Sequence, residues 1–393
     1  MPRSPPSPGP RQLPAPSATA REHSDKVVAH ISSSIAAAGG WISFADYMGA
    51  ALYAPGLGYY ASGTHKFGAD GDFVTAPELT PLFGAALAAQ LADVLSLVPG
   101  EVIEVGPGTG RLCGDVLAAL AARSVLPARY CLLEVSPDLR ARQREHLRRS
   151  VPALMPRLEW IDVLPERWRG ALIANEVLDA VPPHVVVRRD GVWHERGVAL
   201  QGSRLALADR PLAEGALLDA ARARFPADLD YTSEINPAAL ALVNSLARRC
   251  ESGALFVIDY GFPAAEYYHP QRHAGTTMAH YRHRALADVL VLPGLADLTA
   301  HVDFSAVARR GVAAGMAVAG FTSQASFLLN CGILDLLAQT GDPSSVTYLR
   351  ESGAVQKLLS PAEMGELFKV LALTRGIDGV LRGFRAGDRS HRL

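Results

Sequence analysis

Hydrophobic positions along this chain change their spacing in a regular order. Through LFGAALAAQLADVLSLV, residues 82–98, apolar side chains recur at helical intervals, and the next apolar run, EVIEV at 101–105, is short, unbroken and glycine-flanked, as a buried strand is. The alternation then repeats. RLCGDVLAALAARS reads as a helix and YCLLEV as a strand; SPDLRARQREHL follows as a helix with Ser136 placed to cap it and Pro137 at its first position. A short strand around LEWID and a further apolar strand, GALIANEV, complete the run. Strands and helices in strict alternation predict an α/β fold built on a parallel, doubly wound sheet.

Outside this run the periodicity differs. Upstream, DKVVAHISSSIAAAGG predicts a helix from about Ser24 to the Gly39-Gly40 pair, and ISFADYMGAALYAP a second one. GLGYYASGTHKFGADGDFVTAPELTP keeps no period over its length, which in a compact enzyme points to a ligand-covering loop. Downstream, VVVRR and VWHERGV flank an Asp190-Gly191 hairpin turn. Alanine-rich helical text leads to INPAALALVNSLARRCESG and another buried strand, ALFVIDYG. Four regions result: a Pro-rich disordered tail at 1–23, N-terminal helices and the covering loop at 24–80, a Rossmann-like core at 81–262, and an insertion with a mainly helical C-terminal lobe at 263–385.

Composition and charge narrow the function classes. The chain has 393 residues, 49% of them hydrophobic and 20% charged, which is enough for a large buried core. With 38 Lys+Arg against 39 Asp+Glu the net charge is -1, so no global field gathers nucleic acid or an anionic membrane. The five arginines of DLRARQREHLRRS read as a solvated helix face, and no nucleic-acid partner is expected. No stretch offers the roughly 18 apolar residues of a membrane span. Cys113, Cys131, Cys250 and Cys331 form no CxxC pair, which favours a reducing compartment. That is the cytoplasm, or the mitochondrial matrix if the acid-free N-terminus is a targeting sequence. His269, His273, His280 and His283 have no accompanying cysteine or paired carboxylate, and Pro270 and Gly275 interrupt them, so no metal is expected.

Candidate chemistry starts at the end of EVIEV. Gly106, Gly108 and Gly110, after Glu104, open a helix whose N-terminus stands free beside backbone without side chains, a seat for a nucleotide-like ligand. A dinucleotide site wants G-x-G-x-x-G, which would put glycine where Arg111 stands; the shorter G-x-G-x-G favours S-adenosylmethionine. Glu134 closes the second strand, where a carboxylate accepts both ribose hydroxyls. Asp162, after the third strand, is either a turn residue or the partner of the adenine amino group. Asn175, Glu176 and Asp179 lie at the carboxyl edge of the fourth strand. Asn175 and Glu176 stand next to the place of the methyl donor, with Asn175 taken as a cofactor contact, and the three suit helix capping, a grip on the methyl acceptor, or both.

With these pieces in place the sequence resembles the MidA-like family of S-adenosylmethionine-dependent methyltransferases, whose mitochondrial members are complex I assembly factors that methylate an arginine. The matching segments include GDFVTAPELTPLFG at 71–84, EVGPGTGRLCGDVL at 104–117, LLEVSPDLR at 132–140, NEVLDAVP at 175–182 and IDYGFP at 258–263. They continue with GTTMAHYRHRA at 275–285, GLADLTAHVDF at 294–304 and MGELFKVLAL at 364–373. The resemblance implies a Rossmann-like domain with an added lobe, S-adenosyl-L-methionine as cofactor, and a protein acceptor in the NADH dehydrogenase complex. It also implies that Gly71, Asp72, Phe73 and Thr75 fold over the cofactor.

Methyl transfer from a sulfonium is an in-line displacement that needs a held nucleophile in a dry pocket. Arginine stays protonated, so carboxylates that bind two of its nitrogens would orient the third and take the released proton. Glu176 is the first candidate for that role and Asp179 the second. His301 and Asp303 form either a wall that contacts the acceptor or a buried His–Asp pair. Two other classes remain open at this point: a dinucleotide-dependent oxidoreductase, and a non-catalytic assembly factor that keeps the fold. The oligomeric state, monomer or homodimer, is left open.

Overall fold

A computed structural model describes residues 13–62 and 75–393. Its centre is an eight-stranded sheet, in which the short strand Val302–Asp303 pairs with the end of one strand and seven others form the main row: β1 (Glu101–Val105), β2 (Tyr130–Leu133), β3 (Leu158–Ile161), β4 (Trp168–Asn175), β5 (Cys250–Phe262), β6 (Ala317–Ser323) and β7 (Phe368–Arg375). Their spatial order is β6-β7-β5-β4-β1-β2-β3. β1 to β5 run parallel and β7 is antiparallel to both of its neighbours. Strand order reverses beside β1, so the loops after β1 and β4 open a crevice at the carboxyl edge of the sheet, where ligands of such folds bind.

Both faces of this sheet are covered, which explains why its strands are apolar on both sides. On one face the helix Pro81–Leu97, with twelve of its seventeen residues buried, packs with the helix Arg111–Ala122 over Val102, Ala171 and Phe256. On the other, the helices Pro237–Arg248 and Phe304–Ala313 cover Ile103, Leu172 and Leu255. Ser136 caps the helix Pro137–Ser150 as expected, accepting the Leu139 N–H at 3.4 Å.

The division into regions differs from the expected one in two places. Residues 184–235, read as a continuation of the core, form a separate antiparallel sheet with the hairpin turning at Asp190-Gly191. Residues 317–323 and 368–375, read as part of a helical lobe, supply β6 and β7. FKVLALTR has seven of its eight residues buried, and a short apolar run of that kind has the same periodicity as a buried helical turn. The N-terminal helix starts at Ala18, ahead of Ser24, because Ser17 caps it. That helix and Phe44–Tyr53 share one apolar core with the second sheet and with a three-stranded sheet at 278–299. The added lobe is therefore mixed, with helices laid against antiparallel strands. Among the described residues no helix is long and apolar enough to cross a membrane.

Candidate active site

The glycine turn after β1 follows from backbone geometry. Gly106, Gly108 and Gly110 have φ of 64°, 52° and 81°, a left-handed conformation in which a side chain is strained. A Cβ at Gly106 would meet Val177 Cγ2 at 3.3 Å, and one at Gly110 would press on Gln143, whereas at Gly108 it would meet nothing within 4 Å. The turn thus abuts the loop after β4 on one side and presents open space at Gly108. Glu104 lies underneath, 3% exposed, and accepts a 2.6 Å hydrogen bond from the Tyr130 hydroxyl; burial pushes its carboxyl up to about 8.

Beside the turn, Glu134 follows directly on the last residue of the second strand, Leu133. The Ser136 N–H donates to its Oε1 at 2.8 Å and Gln143 Nε2 to its Oε2 at 3.2 Å. The same Gln143 nitrogen donates to the carbonyl of Gly108 at 2.9 Å, and Gln143 Oε1 accepts the Trp160 indole N–H at 2.8 Å. A fully buried amide therefore fixes the glycine turn and Glu134 relative to each other. Sequence reasoning missed Gln143: it lies in an arginine-rich helical run, and only its exact helical phase points it inward. Asp162 lies at the rim, largely exposed, in an ion pair with Arg140, whose Nε also donates to the Glu134 carbonyl at 2.6 Å.

After β4 the chain turns sharply. Glu176 has φ of 52°, a left-handed conformation that costs a non-glycine residue on the order of 1–3 kcal/mol. Neighbouring groups impose it. Its N–H continues the ladder to Ile258 at 2.8 Å, and the next three N–H groups, of Val177, Leu178 and Asp179, all donate to Oδ2 of Asp259 at 3.2, 3.0 and 3.3 Å. Asp259, 0% exposed, accepts the Tyr260 N–H through its other oxygen. The motif IDYG contains Asp259 but gives no local sign of its role, since its partners in the loop lie 80 to 82 positions upstream.

Glu176, Asp179 and Asp259 thereby converge at the carboxyl edge of β4 and β5. Burial, and then Asp179, raise the Glu176 carboxyl to about 8. Burial raises Asp179 to about 6, opposed by its hydrogen bond with the Tyr260 hydroxyl. Glu176 accepts from the Ala76 N–H and from Asn175 Nδ2, each at 3.3 Å. Asp179 Oδ1 and Asn175 Oδ1 are buried with no hydrogen-bond partner among the described residues, and no described Lys or Arg forms an ion pair with any of the three acids.

The remaining predicted residues divide. His301 stands beside the acids: its ring packs edge-on against Tyr260 with centroids 5.2 Å apart, and burial pushes its imidazole down to about 4. Its N–H donates to the Thr276 hydroxyl, and buried Glu234 holds that segment by accepting the N–H and hydroxyl groups of Thr276 and Thr277. Gly275 is required there, since at φ 82° a Cβ would lie 2.8 Å from Glu234 Oε1. No hydrogen bond joins His301 to Asp303, which caps the helix Phe304–Ala313 through the Ala306 N–H. Thr75 precedes the short helix Ala76–Leu79, whose Glu78 accepts the Thr109 hydroxyl of the glycine turn. Gly71, Asp72 and Phe73 lie outside the described residues.

Gly108, with open space where a Cβ would stand, Glu134 and the unpartnered Asn175 oxygen follow or end β1, β2 and β4 at the carboxyl edge of the sheet, where ligands of such folds bind, and they offer acceptors for ribose and amino groups. That set fits an adenosyl group. Residues 86–322 match the family described as "Putative S-adenosyl-L-methionine-dependent methyltransferase". A Burkholderia thailandensis protein solved with bound S-adenosyl-homocysteine is 50% identical, with a TM-score of 0.94 over 97% of this chain and 100% of that one. Protein arginine methyltransferase NDUFAF7, mitochondrial, of Danio rerio is 32% identical, covering 88% of this chain and 86% of the relative. Its Homo sapiens counterpart is 30% identical over 85% of this chain and 80% of the relative.

Proposed function

We infer that this chain, which belongs to the family of S-adenosyl-L-methionine-dependent methyltransferases, methylates an arginine side chain of a protein. S-adenosyl-L-methionine is its cofactor, which sets aside the dinucleotide alternative. The observation that carries the arginine reading is the cluster of three carboxylates, half-buried Glu176 with buried Asp179 and Asp259, without a cationic partner among the described residues. Such a group is costly unless protons or a bound cation neutralise it, and a planar guanidinium offers paired N–H donors that match carboxylates. The relatives named as protein arginine methyltransferases support the same acceptor. Following the family resemblance, the acceptor protein is a subunit of NADH dehydrogenase.

The residues divide the work. Gly108 leaves the space and Glu134 the carboxylate for the adenosyl group, with Gln143 holding both in register. When bound, the cofactor supplies a methyl group on a sulfonium. Near neutral pH Glu176 keeps its proton in the free protein, whereas Asp179, raised only to about 6, is largely ionised. An arriving guanidinium favours their charged forms, so that one carboxylate binds two nitrogens and fixes the third. The proton lost from the methylated nitrogen passes to the carboxylate facing it, a role for Glu176 once the guanidinium has brought it to its charged form.

Incubating the protein with labelled cofactor and cell extract, then hydrolysing the labelled band, tests this reading. Label in methylarginine is the expected result; label confined to methyllysine or to base-labile esters would overturn it.

A further inference from the structure

The wall beside the acids also carries a cation. Tyr260 and Phe262 are two residues apart on β5, so both side chains point to the same side about 7 Å from each other. Both are half-exposed, and the His301 ring lies against each, with centroids at 5.2 and 5.4 Å. Over the Phe262 ring stands the guanidinium of Arg272, its central carbon 3.8 Å from the centroid. The nearby carboxylates are engaged elsewhere. Glu234 holds Thr276 and Thr277, Asp303 caps its helix with Arg224 alongside, and Glu266 pairs with Arg392 at 2.6 Å. Among the described residues Arg272 has no ion-pair partner. Buried Lys369 has its ammonium 5.5 Å from the same ring and is paired with Glu366 at 3.8 Å, so Arg272 is the cation left for a partner there.

Along the carboxyl end of β5 the polarity therefore changes, from acids at Glu176 and Asp179 to a stacked guanidinium roughly 10 Å further along the strand direction. Stacking fixes the Arg272 plane and leaves its N–H edge available for a two-point pairing with a carboxylate. We propose that Arg272, held on Phe262, receives an acidic side chain of the acceptor protein lying within about four residues of the target arginine. This rests on the arginine reading above and deepens it. A segment with one charge of each sign is held in a single register, and a segment with a second cation at that position is repelled.

Peptides with one arginine, and with Glu, Gln or Lys at each position up to four residues away, test this with the full chain and S-adenosyl-L-methionine. At one position the kcat/KM for Glu exceeds that for Gln by about 10-fold, the size of one charge-assisted pair, and Lys is the poorest. Arg272→Ala brings the Glu:Gln ratio close to one, Arg272→Glu inverts it in favour of Lys, and Phe262→Leu, which removes the stack but keeps the charge, lowers it partway. Equal ratios in the unaltered protein, or a Glu preference that survives both Arg272 variants, would overturn the proposal. Peptides that all stay free of methylarginine count against the arginine reading itself, since the Gln peptides, whose one charged side chain is the arginine, fail with the rest.

Discussion

At the scale of single residues, the site combines positions that a pattern can reveal with positions that only contacts reveal. Gly106, Gly108 and Gly110 are legible because three left-handed positions in one turn strongly favour glycine, and Glu134 because strand length fixes where the second strand ends. Gln143 is not, because one buried amide in an arginine-rich helix has no local signature. Its three hydrogen bonds, to Gly108, Glu134 and Trp160, give it a definite consequence. Gln143→Ala leaves the Gly108 carbonyl and the Glu134 carboxylate without their shared donor, and S-adenosyl-homocysteine is expected to bind about 10-fold more weakly, the loss of one to two net hydrogen bonds. Calorimetric titration measures this, and unchanged affinity would show that Gln143 does not organise the cofactor side.

Elements were legible where their length and period agreed. The helix Pro81–Leu97 and the strands β1, β2 and β4 follow the alternation of the sequence closely. β6 and β7 did not stand out, since they reach the central sheet from beyond residue 300 by pairing whose partners lie far away in sequence. The same non-local pairing makes the loop after β4 depend on β5. Its three successive N–H groups end on one oxygen of Asp259, which holds Glu176 in its strained conformation. Asp259→Asn replaces one acceptor oxygen by a donor amide facing N–H groups, so the loop loses its anchor while the glycine turn is untouched. A fall in kcat of about 100-fold, or roughly 2.7 kcal/mol, with cofactor affinity within about twofold of the original is expected from steady-state kinetics and titration. Parallel loss of cofactor binding would mean that the residue merely supports the fold.

For the molecule as a whole, the buried acids trade stability for chemistry. Glu104 and Glu176 are raised to about 8 and Asp179 to about 6, from ordinary values near 4. The folded protein thus keeps protons that the unfolded chain has already released, and stability falls as pH rises from about 4.5 to about 8. Thermal unfolding of the ligand-free protein should show a Tm that declines over this range, and Glu176→Gln should raise Tm at pH 8.5 by roughly 2 °C. A flat or rising profile would contradict the assignment of protons to these acids. The most direct test of the central claim uses the same variant with two readouts, S-adenosyl-homocysteine binding and methyl transfer to protein. Glu176→Gln is predicted to bind the cofactor product normally and to lose transfer by at least about 100-fold; normal turnover in that variant would contradict the account.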